Sequence, residues 1–475
     1  MFLLVLISIQ VYAQQIDGGV IEGRVYNVAN NEAVPFANLI IWGTNIGSVS
    51  DLDGFFKFTG VKPGYVRILA SSVGFEQNIS TEFQVTNAKL SSIEIPLEET
   101  TERIDEIVVK ASPFRKNVES PVSLRRIGIE QIEKNPGGNR DISKVIQSFP
   151  GVASTPAFRN DVIVRGGGPS ENRFYLDGVE IPNLNHFATQ GASGGPVGII
   201  NVDFIREVNF YSGAFPSSTG NAMSSILDMR QVDGNKEKLK FRGSIGASDL
   251  ALTLDGPISE NTTFIASARR SYLQFLFSAL ELPFLPTYND FQFKSRTKIN
   301  DKNEISFIGL GAIDQSELNL DANETPDQKY ILSFLPVSNQ WNYTVGVVYK
   351  HYRENGYDTW VLSRNYLNNV SYKYKDNNEE LGKTYDYSSA EIENKFRYER
   401  TTNTKNKFKI NYGVSFEYAK YLNSTYNQIY VNDALQELNY NTYLDMFHYG
   451  AFGQVSKSFL SKSLQLKFNC THTLT

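Results

Sequence analysis

The strongest constraint on the fold is a two-residue alternation of apolar and polar side chains that begins near residue 237. Within Lys407–Tyr418, every second residue from Phe408 onward is aromatic or aliphatic, and the residues between are polar or glycine. The same alternation occurs over Leu239–Ile245, Phe291–Thr297 and Trp341–Val347. Successive side chains of a β-strand point to opposite faces, which produces this period. Amphipathic strands of about ten residues are typical of a membrane barrel, whereas strands of soluble sandwiches are nearer five or six residues.

The lengths of the connections favour the same fold. Short polar turns are predicted at 256–261, 300–304, 353–357, 401–404 and 460–463, and long connections at 272–289, 313–337, 368–383 and 421–440. Short turns at one end and long loops at the other are the arrangement of outer-membrane barrels. The pattern predicts about eleven antiparallel strands over residues 237–475. Because the chain stops within the last of them, we expect a partial transmembrane antiparallel β-barrel from a truncated sequence.

Composition and the N-terminus narrow the classes of protein. The net charge is −5 and Lys and Arg are not clustered, which argues against a nucleic-acid partner. Cys470 is the single cysteine, so disulfides within the chain and cysteine-based metal clusters are excluded. Residues 1–13 form a short apolar run ending Val-Tyr-Ala, which predicts a secretory signal peptide. Its basic start is missing, so either the start is clipped or Met1 is an internal start codon.

Residues 18–98 have the pattern of a small all-β module. Short β-prone runs such as Ile21–Val25 and Phe55–Phe58 are separated by turn signals. The order of its motifs, including Pro35–Asn38 and Ser72–Phe75, resembles the carboxypeptidase-regulatory-like domain. That resemblance implies a non-catalytic β-sandwich.

Two aspartates in this module suggest a calcium loop. Starting such a loop at Asp51 would place Lys62 where an EF-hand needs its closing glutamate. Asp-Gly pairs are common in turns, so we predict that Asp51 and Asp53 are carboxylates of a hairpin turn.

The segment Asp161–Phe187 contains two β-prone runs, a triple glycine and a tight-turn signal at Asp177-Gly178. Just before it, Asp141–Phe149 predicts a helix with Asp141 as N-cap, stopped by Pro150-Gly151. A phosphate-binding loop is a poor interpretation, because no Lys-Ser or Lys-Thr follows the glycines. For this segment taken alone, an ordinary β-hairpin is an alternative interpretation.

Together with Ser148–Val152, this segment resembles the plug domain of TonB-dependent outer-membrane receptors, and we assign residues 113–232 to it. The resemblance implies an α+β plug within a barrel of about twice the predicted strand number, 22 in all. It further implies a plug scaffold formed by Arg165, Gly166, Gly167, Gly168, Asp177 and Gly178. We expect ligand contact at Asn183, Asn185, His186 and Phe187, because an exposed loop on a rigid scaffold is where binding usually occurs.

The linker 102–112 joins the two predicted domains. It contains a β-prone run, flanked by charges, that resembles a TonB box: Ile104, Asp105, Glu106, Ile107, Val108 and Val109. Such a segment adds as a strand to the edge of a partner's sheet. The alternative is that it forms the first strand of the next domain.

The resemblance as a whole implies a mainly β receptor that takes up a ligand too large for porins, such as a siderophore, an oligosaccharide or a peptide. The implied partners are TonB, outer-membrane lipids, the nutrient ligand and a surface lipoprotein. No nucleic acid, cofactor, metal or catalytic residue is expected. The alternative function is an outer-membrane sensor or anchoring component that does not import.

Two groups of polar residues suggest other chemistry. His351 and Glu354 have the spacing of a zinc carboxypeptidase pair, but positions three apart on a strand point to opposite faces. The loop 313–337 carries five acidic residues from Asp314 to Asp327, which could attract a cation. Charge runs are usually solvated, so we predict a solvated loop surface there.

Overall fold

The computed structural model describes residues 18–87, 91–99, 123–138, 140–155, 159–192, 194–246, 248–404, 406, 408–432, 434–459 and 464–474. The predicted signal peptide at 1–13 and the linker 102–112 with its TonB box lie outside the described residues. The described part of the chain divides into two compact units, of which the first holds the nine N-terminal strands.

The first unit is a β-sandwich, as its sequence predicts. Its strands are β1 Gly19–Asn27, β2 Asn38–Ile41, β3 Gly47–Val49, β4 Phe55–Val61, β5 Gly64–Val66, β6 Ile68–Ser71, β7 Asn78–Ile79, β8 Phe83–Val85 and β9 Ser91–Leu97. The order β4-β1-β9 forms one sheet, β3-β2-β6-β7 forms another, and β5 pairs with β8. Buried aliphatic and aromatic side chains such as Ile21, Ile68 and Ile95 fill its core. The Asp51 carboxylate accepts the N–H groups of Asp53 (3.0 Å) and Phe55 (2.7 Å), which confirms it as a turn carboxylate.

The second unit begins with the plug domain, the elements β10 to β16. These are β10 Leu124–Gly128, α1 Ile129–Glu133, α2 Ile142–Gln147, β11 Val152–Ala153, β12 Ile163–Val164, β13 Asn172–Leu176, β14 Val179–Ile181, β15 Ile205–Tyr211 and β16 Ser225–Gln231. Five of the strands form a mixed sheet in the order β10-β15-β16-β13-β14. The helix predicted after Asp141 is confirmed, because the Asp141 carboxylate accepts the Ser143 N–H at 2.8 Å.

The rest of the second unit is one antiparallel, barrel-like sheet. Its strands are β17 Lys240–Ile245, β18 Asp249–Ser259, β19 Thr262–Ser271, β20 Phe284–Asn300, β21 Asn303–Leu318, β22 Val337–Arg353, β23 Gly356–Tyr374, β24 Lys383–Asn403, β25 Lys409–Val431, β26 Ala434–Phe459 and β27 Leu464–Leu474. Helix α3, Leu273–Ala279, lies between β19 and β20, and α4, Pro326–Phe334, lies between β21 and β22. Each strand pairs with the next, and the eleven strands within the described residues match the predicted number.

The prediction of a long connection at 421–440 is wrong. Strand β25 runs to Val431 and β26 starts at Ala434, so only two residues separate two very long strands. The polar, tyrosine-rich residues there pair regularly along the whole hairpin. Backbone pairing does not require an apolar face, and without that alternation the segment has no sequence signal of a strand.

The two faces of the large sheet have opposite polarity. Phe291 and Phe293 on β20 are 51% and 40% exposed, whereas Gln292 between them is 1% exposed. The exposed face therefore carries the apolar side chains, and the covered face carries the polar ones. The exposed face includes an upper aromatic cluster toward the long connections, formed by Trp341, Tyr343 and Tyr366, and a lower one toward the short turns, formed by Tyr349, Trp360 and Tyr398. Tyr343 and Tyr349 are roughly 20 Å apart along β22, close to the height of the apolar band of an outer-membrane barrel.

None of the helices in the described part of the chain is both long and apolar enough to cross a bilayer. The plug domain packs on the polar face of the sheet, which we call the inner face. Apolar residues of β21 to β23 join the core of the plug domain at this contact: Ile308, Leu310, Ala312, Val348 and Val361.

Candidate functional site between the plug domain and the sheet

The triple glycine lies within the plug domain, between β12 and β13. Arg165 and Gly166 both have positive φ, 52° and 81°, and the Arg165 N–H donates to the Gly151 carbonyl at 2.8 Å. A Cβ built on Gly167 would stand 1.6 Å from Ser224 Oγ, so the chain passes too close there for any side chain. These contacts support the predicted scaffold role of the loop, which stays a prediction.

The turn Asp177-Gly178 joins β13 to β14 and touches the sheet. Both residues have positive φ, and the Asp177 carboxylate accepts the backbone and side-chain N–H groups of Gln231, each at 3.0 Å. The Lys294 ammonium of β20 lies 3.1 Å from the same carboxylate. The Gly178 carbonyl accepts a hydrogen bond from Arg397 of β24 at 2.8 Å. The turn is therefore held by two cationic side chains of the sheet.

The loop predicted to contact ligand is not exposed, and the expectation that it is exposed is wrong. Asn183 is 7% exposed, and Asn185 and His186 are 0% exposed, while Phe187 is partly buried. The loop follows β14 and folds against the inner faces of β20 and β21. Its polar composition, which suggested a surface loop, is matched by polar side chains on the sheet.

His186 is the centre of this contact. Its Nδ1 lies 2.6 Å from Asp314 Oδ1 and its Nε2 lies 3.0 Å from Asp290 Oδ2. The Phe187 N–H donates to the other Asp314 oxygen at 2.7 Å, and Arg269 Nε donates to Asp290 at 2.6 Å. An imidazolium donates from both nitrogens, so two cations then balance two carboxylates. We call His186, Asp290, Asp314 and Arg269 the His186 site.

The charge of His186 follows from its neighbours. Complete burial lowers the pKa of His186, but the Asp314 and Asp290 carboxylates outweigh burial and raise that pKa above its ordinary value. The Tyr288 ring lies over the imidazole at a centroid distance of 4.3 Å. The geometry thus favours the protonated ring at neutral pH.

The burial of Asp314 contradicts a second expectation from the sequence. It was predicted to belong to a solvated acidic loop, but it is 1% exposed and lies within β21. Only the later acidic residues of the loop are exposed, among them Glu317 and Asp327. The alternation of Ile308, Leu310 and Ala312 continues to Asp314, and that continuity is the sequence signal for an inward-facing carboxylate.

Glutamine side chains of the sheet complete the contact with the plug loops. Gln340 accepts the Ala188 N–H at 3.0 Å and donates to the Ala188 carbonyl. Gln292 accepts the Asn201 N–H at 2.9 Å. The sheet therefore satisfies backbone groups of the plug domain that are buried against it.

A second charged cluster lies below the His186 site, toward the short turns. Lys294 reaches both Asp177 (3.1 Å) and Asp233 (2.8 Å). Arg296 bridges Asp233 at 2.9 Å and Glu304 at 2.7 Å. Burial raises the pKa of Asp233, but Lys294 and Arg296 outweigh burial and hold that pKa well below its usual range.

A third cluster surrounds Lys395 of β24. Its ammonium lies 3.0 Å from Glu180 of the plug domain, 2.8 Å from Glu393 and 3.6 Å from Glu417. His448 Nδ1 is 3.7 Å from Glu417. A cavity of about 110 Å³ opens beside these residues, between the plug hairpin and strands β23 to β26.

The two residues of the suspected zinc pair lie near the end of β22. On β22, His351 has its Nδ1 2.8 Å from Oδ1 of Asn303 on β21, and Glu354 lies in the turn that follows Arg353. Across the residues that the structure describes, no group of three or more His, Cys, Asp and Glu side chains is arranged to hold a metal ion.

Comparison with known proteins identifies two domains of the chain. Residues 21–109 match the CarboxypepD_reg-like domain. Residues 116–226 match the TonB-dependent receptor plug domain. A curated relative, the TonB-dependent receptor SusC of Bacteroides thetaiotaomicron, is 23% identical over 254 residues. That alignment spans 51% of this chain and 24% of SusC.

Solved structures share the fold at low identity. The outer membrane transporter YddB from Escherichia coli superposes with a TM-score of 0.51 at 13% identity, covering 74% of this chain and 56% of YddB. FpvA of P. aeruginosa, solved with a heterologous pyoverdine and iron, gives a TM-score of 0.51 at 13% identity, covering 75% of this chain and 52% of FpvA. The chain thus spans about half the length of these solved proteins.

Proposed function

We propose that this chain is a member of the TonB-dependent receptors of the outer membrane and that it imports a ligand with energy supplied through TonB. The similar proteins are receptors and transporters, and we propose no catalytic step. The observation that carries the proposal is the seating of the plug domain on the inner face of the sheet through the charged clusters around His186, Lys294 and Lys395.

We call this contact between the plug domain and the inner face of the sheet the plug seat. Its polar character suits a plug that must move. Buried ion pairs add little net stability compared with apolar packing, because each charge loses its hydration. When such an interface opens, the charged groups are hydrated again, whereas an apolar interface would leave its surface in water. The polar part of this contact therefore favours a plug that can be displaced and can return.

The position of β10 supports coupling from the N-terminal side. The proposed TonB box, Ile104 to Val109, precedes β10, and β10 is the edge strand of the plug sheet. Leu124 pairs with Tyr211 at the N-terminal end of β10. A pull on the box would therefore load the β10–β15 pairing first. TonB itself would engage the box by strand addition.

We propose that ligand contact lies beyond the buried tip, at Thr189–Gly191. These residues are exposed at the apex of the same loop, and Tyr421 of β25 donates to Gln190 at 3.3 Å. The ligand classes remain a siderophore, an oligosaccharide or a peptide. A surface lipoprotein is a further proposed partner, which co-purification from native outer membranes tests.

Uptake by cells that express the native gene tests the function. The probes are labelled ferric enterobactin, ferric pyoverdine, mixed oligosaccharides and mixed peptides, each measured for binding and for accumulation. We expect Ile107→Pro to abolish accumulation of the accepted probe while binding persists, because proline removes the N–H needed for strand addition. Ile107→Ala is the matched control. Unchanged accumulation in Ile107→Pro would refute coupling through this segment, whereas binding without accumulation in the unmodified protein would favour a sensor or anchor that does not import.

A further inference from the structure

Helix α3 carries an exposed apolar surface that the import function does not use. Its residues Leu273–Ala279 contain no charged side chain. Phe275 is 68% exposed, Leu276 is 41% exposed, and Leu280 at the C-cap is 68% exposed. Adjacent exposed side chains of this size mark an interaction surface more often than scattered ones do.

The contact between Gln274 and Thr287 places α3 on the outer face of the sheet. Thr287 Oγ1 donates to Gln274 Oε1 at 2.6 Å. On β20, Tyr288 and Asp290 face inward to the His186 site, so Thr287 faces outward, as Phe291 does. Thr287 is only 5% exposed although it lies on the outer face. Helix α3, which packs here, accounts for that burial.

The helix continues the apolar outer face at its upper edge. Strand pairing forms a row of outward residues across the sheet, which runs Arg270, Asn289, Ile313, Trp341. Trp341 belongs to the upper aromatic cluster, and Phe291 and Phe293 lie on the other side of the row. Thr287 lies two residues beyond the row, roughly 7 Å along the strand. Helix α3 thus sits where the headgroups would begin.

We propose that α3 is an interfacial helix, with Phe275, Leu276 and Leu280 inserted among the outer-leaflet lipids at the headgroup boundary. Continuity with the lipid-facing surface favours lipid as the occupant over a protein partner. Short amphipathic helices bind at this depth when they present apolar side chains from one surface. The inference rests on the membrane placement of the sheet in the proposed function.

The proposed role is to anchor the upper end of β19 and β20. These strands carry Arg269 and Asp290 of the His186 site, and Tyr288 covers its imidazole. Gln328 of α4 donates to the Glu281 carbonyl at 2.8 Å, which also holds the segment after α3. An anchored α3 would limit movement of the strands that hold His186.

Lipid-borne quenchers test the inference. The protein in a Cys470→Ser background receives a single cysteine by Phe275→Cys or Leu280→Cys, is labelled with an environment-sensitive fluorophore, and is reconstituted in phosphatidylcholine vesicles. Quenching is compared between lipids brominated near the headgroup and lipids brominated near the methyl end. Phe291→Cys is the membrane-face control, and Asn323→Cys in the exposed loop is the aqueous control.

We expect labels at 275 and 280 to be quenched most by lipids brominated near the headgroup. The label at 291 should be quenched more by lipids brominated deeper in the acyl chain. If the labels at 275 and 280 behave like the label at 323 and the label at 291 is quenched, the α3 inference is overturned and the membrane placement is upheld. A label at 291 without lipid quenching would instead overturn the membrane placement. A blue-shifted label at 275 without lipid quenching would indicate burial against protein and also overturns lipid contact.

Discussion

A Cβ atom on Gly346 of β22 would stand 2.5 Å from Cγ2 of Val179 in the plug hairpin. Val179 is fully buried and belongs to the core that the plug domain shares with the sheet. The missing side chain on the sheet is therefore what admits the hairpin. Shape as well as charge fixes where the plug domain sits.

Filling that space should loosen the plug domain. We expect Gly346→Ala to destabilise the plug seat by about 1–3 kcal/mol, because overpacking forces side chains or backbone to shift. Protease protection of the plug domain in urea, measured on detergent-solubilised protein, reports the loss. Gly453→Ala is the matched control, since a Cβ there meets nothing within 4 Å. Adding Val179→Ala should recover part of the loss, and equal losses for the two glycine variants would contradict the prediction.

Removal of the imidazole should destabilise the seat more strongly. His186→Gln leaves Asp290 and Asp314 buried with one fewer cation, which costs about 3–5 kcal/mol for a broken buried pair. The same urea–protease measurement reports the effect. The double variant His186→Gln, Asp314→Asn removes the unpaired charge as well and should be less destabilised than the single variant. A single variant as stable as the unmodified protein would refute a structural role for the pair.

Charge on His186 predicts a pH dependence of the seat. The pKa of His186 is raised in the folded protein, so its stabilisation is complete below about pH 6.5, the unfolded pKa. That stabilisation is lost as the pH rises through the higher folded pKa. Plug protection measured between about pH 6 and 9 should therefore fall with rising pH, and His186→Gln should flatten that fall. An equal fall in both proteins would assign the pH dependence to other groups.

Local patterns explain most of what could be predicted from the sequence. The alternation over Phe408–Tyr418 depends only on neighbouring residues, and it predicts β25. The helix after Asp141 and the turn at Asp177-Gly178 follow from capping and turn chemistry, and both lie where predicted. Their success reflects interactions that span a few residues.

The buried position of His186 between the plug domain and the sheet could not be predicted from local patterns. His186 and Asp314 are 128 residues apart, and their contact depends on the register between strands and on the docking of a loop. A polar loop is usually exposed, and only a polar inner face can bury it without cost. The alternation indicated that β20 and β21 have polar residues on one face, but it did not indicate which loop covers them.

Lys294 should act as the central cation of the second cluster. Lys294→Met leaves Asp177 and Asp233 without the cation that they share, while Arg296 and Arg206 still contact Asp233. We expect a loss of about 3 kcal/mol in the plug seat by the urea–protease measurement. Because the double variant Lys294→Met, Asp177→Asn removes one of those carboxylates, it should lose less. Additive losses would show that the two side chains do not interact.

The apolar outer face predicts where a charge blocks membrane assembly. Leu362 is 62% exposed on β23, between Trp360 of the lower aromatic cluster and Tyr366 of the upper one. Leu362→Arg should cost about 2–4 kcal/mol when the strand enters the bilayer, because a guanidinium there loses its hydration. The folded fraction of protein that inserts into lipid vesicles in urea measures this cost. Leu381→Arg is the matched control, since Leu381 is 53% exposed in the connection between β23 and β24. Equal insertion of the two variants would mean that the exposed face at Leu362 does not contact lipid.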